Sequence, residues 1–192
     1  MTDIVYGTAH TLQGFEEIIA LQQRNLEEVL TPKIIEQEGF VTVEHSLSLL
    51  EQMNEPYPHV VARYQDKIIG YVLIMLPQLQ ETIPILIPMF EKIEQSYFEE
   101  KAVKDYRYFV MGQVCIDKDF RRQGVFDGLY SQLREQMKSD FDLIVTEVAT
   151  RNRRSIKAHQ RVGFEDLLSY AANGEQWKLI VWKMKSLLVF EG

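Results

Sequence analysis

The chain has 192 residues, of which 46% are hydrophobic and 26% charged, with one cysteine and a formal net charge of −7. The length fits one globular domain over 1–192 with room for a real core, and the acidic balance disfavours general binding to nucleic-acid phosphates. A single cysteine, Cys115, excludes an internal disulfide and fits a reducing cytoplasm.

The N-terminal segment lacks the charged and apolar regions of a signal peptide. Residues 4–9 read as a short first strand. Residues 15–26 read as an amphipathic helix with Phe15, Ile18, Ile19 and Leu26 on one side. Pro32 sits where a helix would place its first residue, so 33–37 is expected as a helical turn ended by Gly39. Another helix is expected over 46–52, and 54–58 is a Pro-containing loop. Residues 59–64 and 68–76 are strand-like around a turn at 65–67, so they should pair antiparallel. The longest plain apolar run, 71–76, is too short to span a bilayer.

Three prolines, Pro77, Pro84 and Pro88, break up an insertion-like stretch over 77–105. A helix is expected at 88–98 with Met89, Phe90, Ile93 and Tyr97 on one face. Residues 107–116 read as a long apolar strand, the natural centre of a sheet. Residues 141–148 form another, with Ile144, Thr146 and Val148 on one face and Leu143, Val145 and Glu147 on the other. Strands at 164–170 and 176–184 flank Asn173-Gly174, a strong hairpin signal. The pattern predicts an α/β (α+β) fold. Its mixed, mostly antiparallel sheet contains a β-α-β-α-β unit in the second half.

The most informative stretch is 114–130. An apolar strand gives way to Arg121-Arg122-Gln123-Gly124. Apolar residues then resume at Val125, Leu129, Leu133 and Met137, a spacing of four that makes one helical stripe. A helix N-terminus offers unpaired N–H groups and the positive end of a dipole. Gly124 permits close backbone approach, and the two arginines add charge. Together these describe a phosphate or pyrophosphate site. It is neither a Walker A loop nor G-x-G-x-x-G.

Arg121-Arg122-Gln123-Gly124-Val125-Phe126 resembles the acyl-CoA loop of the GNAT superfamily of N-acetyltransferases, Gln/Arg-x-x-Gly-x-Gly/Ala. Phe126 departs from the small last residue, so its ring must turn away from a ligand. Downstream, Asn152, Ser155, His159 and Gly163-Phe164 resemble the family's next helix and strand, with His159 where a tyrosine is usual. The resemblance implies a GNAT-like sheet with splayed central parallel strands. It also implies acetyl-CoA as co-substrate, transfer to an amine acceptor, and no metal. A homodimer is left open.

The resemblance places the thioester beside Val114, Cys115 and Ile116, and the phosphates on the 121–126 loop. Two arginine clusters, Arg121-Arg122 and Arg151/Arg153/Arg154, would suit the two phosphate groups of coenzyme A; the second is equally readable as solvated surface. Asn152 and Ser155 are cofactor contacts on this reading, although Asn152 is also a favoured N-cap. His159 is a proton donor to the leaving thiolate or a structural helix histidine. Glu147 is a general base or a carboxylate paired with a neighbouring arginine. Cys115 lacks a cationic partner in sequence, which argues against a nucleophile. His10, His45 and His59 are too dispersed for a metal cluster. Residues 15–53 and 169–176 are expected to shape the acceptor pocket. A non-catalytic acyl-CoA sensor is the alternative.

Overall fold

The structure, a computed structural model, describes residues 3–184. Both ends of the domain expected over 1–192, including the first residues of the N-terminal segment, lie outside the described residues. The elements are β1 (Val5–Thr8), α1 (Leu12–Gln23), α2 (Pro32–Glu38), α3 (Leu47–Met53), β2 (Val60–Tyr64), β3 (Lys67–Met75) and α4 (Ile87–Gln95). A two-residue hairpin, β4 (Tyr97–Phe98) and β5 (Lys101–Ala102), follows. Then come β6 (Tyr108–Ile116), α5 (Val125–Met137), β7 (Leu143–Ala149), α6 (Arg153–Val162), β8 (Glu165–Ala172) and β9 (Glu175–Lys183).

Seven strands form one sheet in the order β1-β2-β3-β6-β7-β9-β8. Every neighbour pair is antiparallel except β6 with β7. The antiparallel ladder between β7 and β9 runs the whole length of β7, from Leu143 opposite Lys183 to Ala149 opposite Trp177. The parallel ladder holds only Tyr108–Leu143, Phe109–Ile144 and Val110–Val145. Beyond those three pairs the central strands separate. At the point of divergence Thr146 Oγ1 donates to Met111 O at 2.8 Å. On the other side of β6, Leu73 pairs with Gln113 and Ile74 with Met111, which leaves Gly112 as a bulge. A bulge bends its strand and adds twist, and this one sits where β6 leaves β7.

The sheet is packed on both faces. One face carries α1, α3 and α4 against Tyr71, Leu73, Val110, Val145 and Leu179. The other carries α5 against Val72, Ile74, Phe109, Met111 and Ile144, with α6 alongside. Residues alternate along β7 as the sequence requires: Leu143 and Val145 face the first cluster, Ile144 and Val148 the second. The α5 stripe of Val125, Leu129, Leu133 and Met137 is fully buried, joined by Tyr130. Each such side chain contributes about 1.5–3 kcal/mol by area, an upper bound. Gly128 belongs to the same helix because the Tyr6 ring of β1 lies where a side chain would be.

Helix starts follow caps more closely than apolar spacing. Thr11 caps α1 through Gly14 N, so the helix begins three residues before Phe15. Leu26, expected on its apolar side, lies past its end but is still buried. Thr31 and Ser46 cap α2 and α3. Tyr97 is a clear departure: it falls in the two-residue strand after α4 and is 70% exposed. The hairpin turns are as read, with positive φ at Gln65 and Asp66 and at Asn173 and Gly174. Among the described residues no helix is long and apolar enough to cross a membrane.

Candidate active site

The divergence of β6 and β7 opens a cleft of about 550 Å³ between the 36–41 segment, the end of β6, the 121–127 turn and α6. Its floor includes Val114, Cys115 and Ile116. Gly124 caps α5 in the left-handed region at φ 80°, with no side chain capping the helix. Arg122 also has positive φ. No atom lies within 4 Å of the position a Cβ would take on Gly124, so backbone approach is open there. Six cationic residues line the cleft, Arg121, Arg122, Arg153, Arg154, Lys157 and Arg161, against Glu36, Glu38 and Asp127. In a chain of net charge −7 this is a concentrated positive field.

The cations are not idle. Arg121 donates to Ile116 O at 3.1 Å, to Asn25 Oδ1 at 2.6 Å and to Glu38 at 3.2 Å. Arg122 and Arg154 also reach Glu38, at 3.3 and 2.8 Å. One carboxylate at the end of α2 therefore gathers three guanidinium groups. Arg161 pairs with Asp127 instead. Arg151, grouped by sequence with Arg153 and Arg154, turns elsewhere: it holds Glu27 and Glu175. Gln123 folds back onto Asp119 O.

Phe126 turns its ring toward Tyr130 and His159, at centroid distances of 4.8 and 5.2 Å. Asn152 acts as the N-cap of α6, accepting from Ser155 N, while its Nδ2 donates to Phe40 O at 3.2 Å. It thus ties the 39–40 segment to the helix. Cys115 is buried, and burial pushes its thiol up to about 12, so it stays protonated.

His159 is 1% exposed. Its Nδ1 lies 2.8 Å from Ser155 O, which can only accept, so Nδ1 carries a proton. Nε2 then accepts from Tyr130 Oη at 2.7 Å. Burial lowers its pKa to about 4. Both ring nitrogens are committed and the ring is neutral, which fits the structural reading of this residue.

A second, narrower space of about 110 Å³ is lined by residues 40–43, Ile85, Leu86 and Met89, both diverging strands, and Ser155 and His159 of α6. It shares Phe40, Val41, Val114, Asn152 and Ser155 with the first. Glu147 lines it, partly buried, on the β7 edge that β6 has left. Burial pushes Glu147 up to about 7, and a hydrogen bond from Tyr170 Oη to Oε2 pulls the other way. The alternative of a pairing with a neighbouring arginine is not what is found: Arg151 holds Glu27 and Glu175, and the partner of Glu147 is Tyr170.

Residues 21–164 match the acetyltransferase (GNAT) family. The chain belongs to that family. Its fold is similar at low identity to those of many solved structures, among them the following three. The ribosomal-protein-S18-alanine N-acetyltransferase of Escherichia coli gives a TM-score of 0.62 at 11% identity, with 95% of each chain covered. Ard1 of Thermoplasma volcanium gives 0.64 at 12%, covering 95% of this chain and 99% of its own. The yncA protein of Salmonella typhimurium, solved with its cofactor acetyl-CoA, gives 0.59 at 14%, with 95% of each covered. The sequence matches no curated protein.

Within this GNAT chain, sequence reasoning missed two things. Glu38 was invisible as a partner of the arginines because the contacts span 83 to 116 residues. Ile85, Leu86 and Met89 line the second space, although the 77–105 stretch, with its expected helix at 88–98, carries no sign of a site. Part of the 15–53 segment does reach it, through residues 40–43. Among the described residues no cluster of His, Cys, Asp or Glu could hold a metal ion.

Proposed function

We propose that this protein is a cytoplasmic N-acetyltransferase of one catalytic domain that moves an acetyl group from acetyl-CoA directly to an amine. The observation that carries this reading is that two spaces meet the same five residues at the divergence of β6 and β7, with Glu147 on the second. A sensor needs only the first space; a transferase needs both and a passage between them.

The residues present fit the co-substrate. The uncapped N-terminus of α5 and the open backbone at Gly124 suit a pyrophosphate, with Arg122 and Arg154 supplying charge. The edge of β6 at Val114, Cys115 and Ile116 is released from the β7 ladder, so backbone groups there that β3 and Arg121 do not already hold can meet an extended arm. Acetyl-CoA supplies an activated acyl group whose C–S bond breaks as the new N–C bond forms. Glu147 takes the proton that the amine must lose, and a base poised near neutral pH suits that task. Tyr170 holds the carboxylate in place. His159 serves as a positioning residue, locking α6 to α5 through Tyr130, and the thiolate takes its proton from solvent.

The test is thiol release from acetyl-CoA in the presence of a panel of amines, with acetylated product detected by mass. Amine-dependent release together with product supports the reading. Tight CoA binding without amine-dependent release favours the sensor.

A further inference from the structure

The second space has an unusual balance of groups. It has one carboxylate, Glu147, and no Lys or Arg among its described lining residues. Most of its polar side chains are already spent inside the protein. Gln113 donates to Val43 O and accepts from Tyr71 and Gln22. Thr146 donates to Met111 O, and Trp177 to Ala172 O. Asn152 and His159 are committed as described above. What is left for a ligand is Glu147, the hydroxyls of Thr42 and Ser155, which carry no charge, and an apolar wall. Leu86 and Met89 are buried in that wall, and Ile85 stands at the mouth, 52% exposed. The mouth is a built feature: Asn173, in the β8–β9 turn, donates to Ile85 O at 3.1 Å and pins the insertion to the hairpin.

Resting on the proposed transferase reading, we infer that the acceptor is a small primary amine on an apolar stem, carrying no carboxylate and no second cation. Glu147 receives the amine, and Ile85, Leu86 and Met89 receive the stem. An amino acid would bring a carboxylate into a space with no cation and a negative neighbour. A buried unpaired charge is among the costliest things a site can accept. A diamine or polyamine would place its second ammonium against Leu86 or Ile85 with no carboxylate to meet it. The protein thus discriminates by what its wall lacks.

The experiment compares kcat/KM for isoamylamine and phenethylamine, for leucinamide, for leucine, and for putrescine and spermidine. The first two should exceed leucine and the diamines by at least about a hundredfold. Leucinamide should fall on the side of the accepted amines, because it keeps the stem and loses the carboxylate. Ile85→Glu adds an anion at an exposed rim position without touching the fold, and should improve the KM for putrescine at least tenfold while weakening isoamylamine. A preference for leucine, putrescine or spermidine overturns the inference while leaving the transferase reading intact. So does acetylation of some other amine with none of the apolar monoamines; CoA binding with no amine acetylated favours the sensor. Failure to bind CoA at all would instead sink the transferase reading.

Discussion

Glu38→Gln should tighten CoA binding. The carboxylate touches Arg154 at 2.8 Å, Arg121 at 3.2 Å and Arg122 at 3.3 Å. It therefore occupies the same guanidinium groups that a pyrophosphate would use. Two anions held by one guanidinium lie about 6 Å apart, and at an effective dielectric between water and a protein surface each pair of charges repels by roughly 1–2 kcal/mol. Removing the charge should lower the Kd of CoA by about five- to thirtyfold. The same change loses three ion pairs. The Glu38 side chain is 29% exposed and that of Arg122 75%, while Arg121, at 12%, keeps Ile116 O and Asn25, so that loss stays at about 1–2 kcal/mol of stability in all. Titration calorimetry at low and high salt reads the effect directly. The gap between wild type and Glu38→Gln should shrink as salt rises, because the repulsion is screened. Equal or weaker CoA binding by Glu38→Gln at low salt would refute the reasoning and make Glu38 an organiser of the arginines.

Four further outcomes are expected. Glu147→Gln should lower kcat about 10²- to 10³-fold, and the wild-type rate should rise with pH through about 7 as the carboxylate deprotonates; a flat pH profile would argue against a base there. Gly124→Val should leave a folded protein, destabilised by roughly 1–2 kcal/mol for a side chain in the left-handed region, that no longer shows a CoA-induced rise in Tm. His159→Phe should cost about 1–3 kcal/mol of stability by orphaning Tyr130 Oη, with kcat changed less than tenfold; a large kcat loss in a stable variant would restore it as a proton donor. Stability should fall as pH drops from 6.5 toward 4. The buried His45, His59 and His159 have pKa values lowered to about 4, so the unfolded chain binds more protons in that window. Glu147, raised to about 7, opposes one of them. The expected slope is about 2.5 kcal/mol per pH unit near pH 5, measurable by denaturant titration.

The second half of the fold was the most legible part. There the signals are local: a stripe of four at Val125, Leu129, Leu133 and Met137, a period-2 strand that carries Glu147, and Asn173-Gly174 between two strands. The loop at Arg121 to Phe126 was readable for the same reason, since a helix N-terminus and its glycine lie within six residues. Phe126 was readable in part: its turned-away ring follows from the need to clear a ligand, but not its contact with His159. What the sequence hid were relations between distant segments. Tyr170 as the partner of Glu147 depends on the order β7-β9-β8. Burial of His159 depends on Phe126 and Tyr130 of α5 and on Phe164, just before β8, closing around it. The Gly112 bulge gave only a glycine within a strand, a pattern that leaves the side and extent of a bend unspecified.

The central claim is that the acetyl group is delivered at the divergence of β6 and β7, and a structure with CoA bound tests it most directly. The account predicts the pyrophosphate at the 122–126 turn, Glu38 withdrawn from Arg122 and Arg154, and the thiol between Val114 and β7. A direct path, or one broken only by a single water, should lead from that thiol to the Glu147 carboxylate. A CoA whose thiol points away from β7, or a wall of side chains between it and Glu147, would contradict the account.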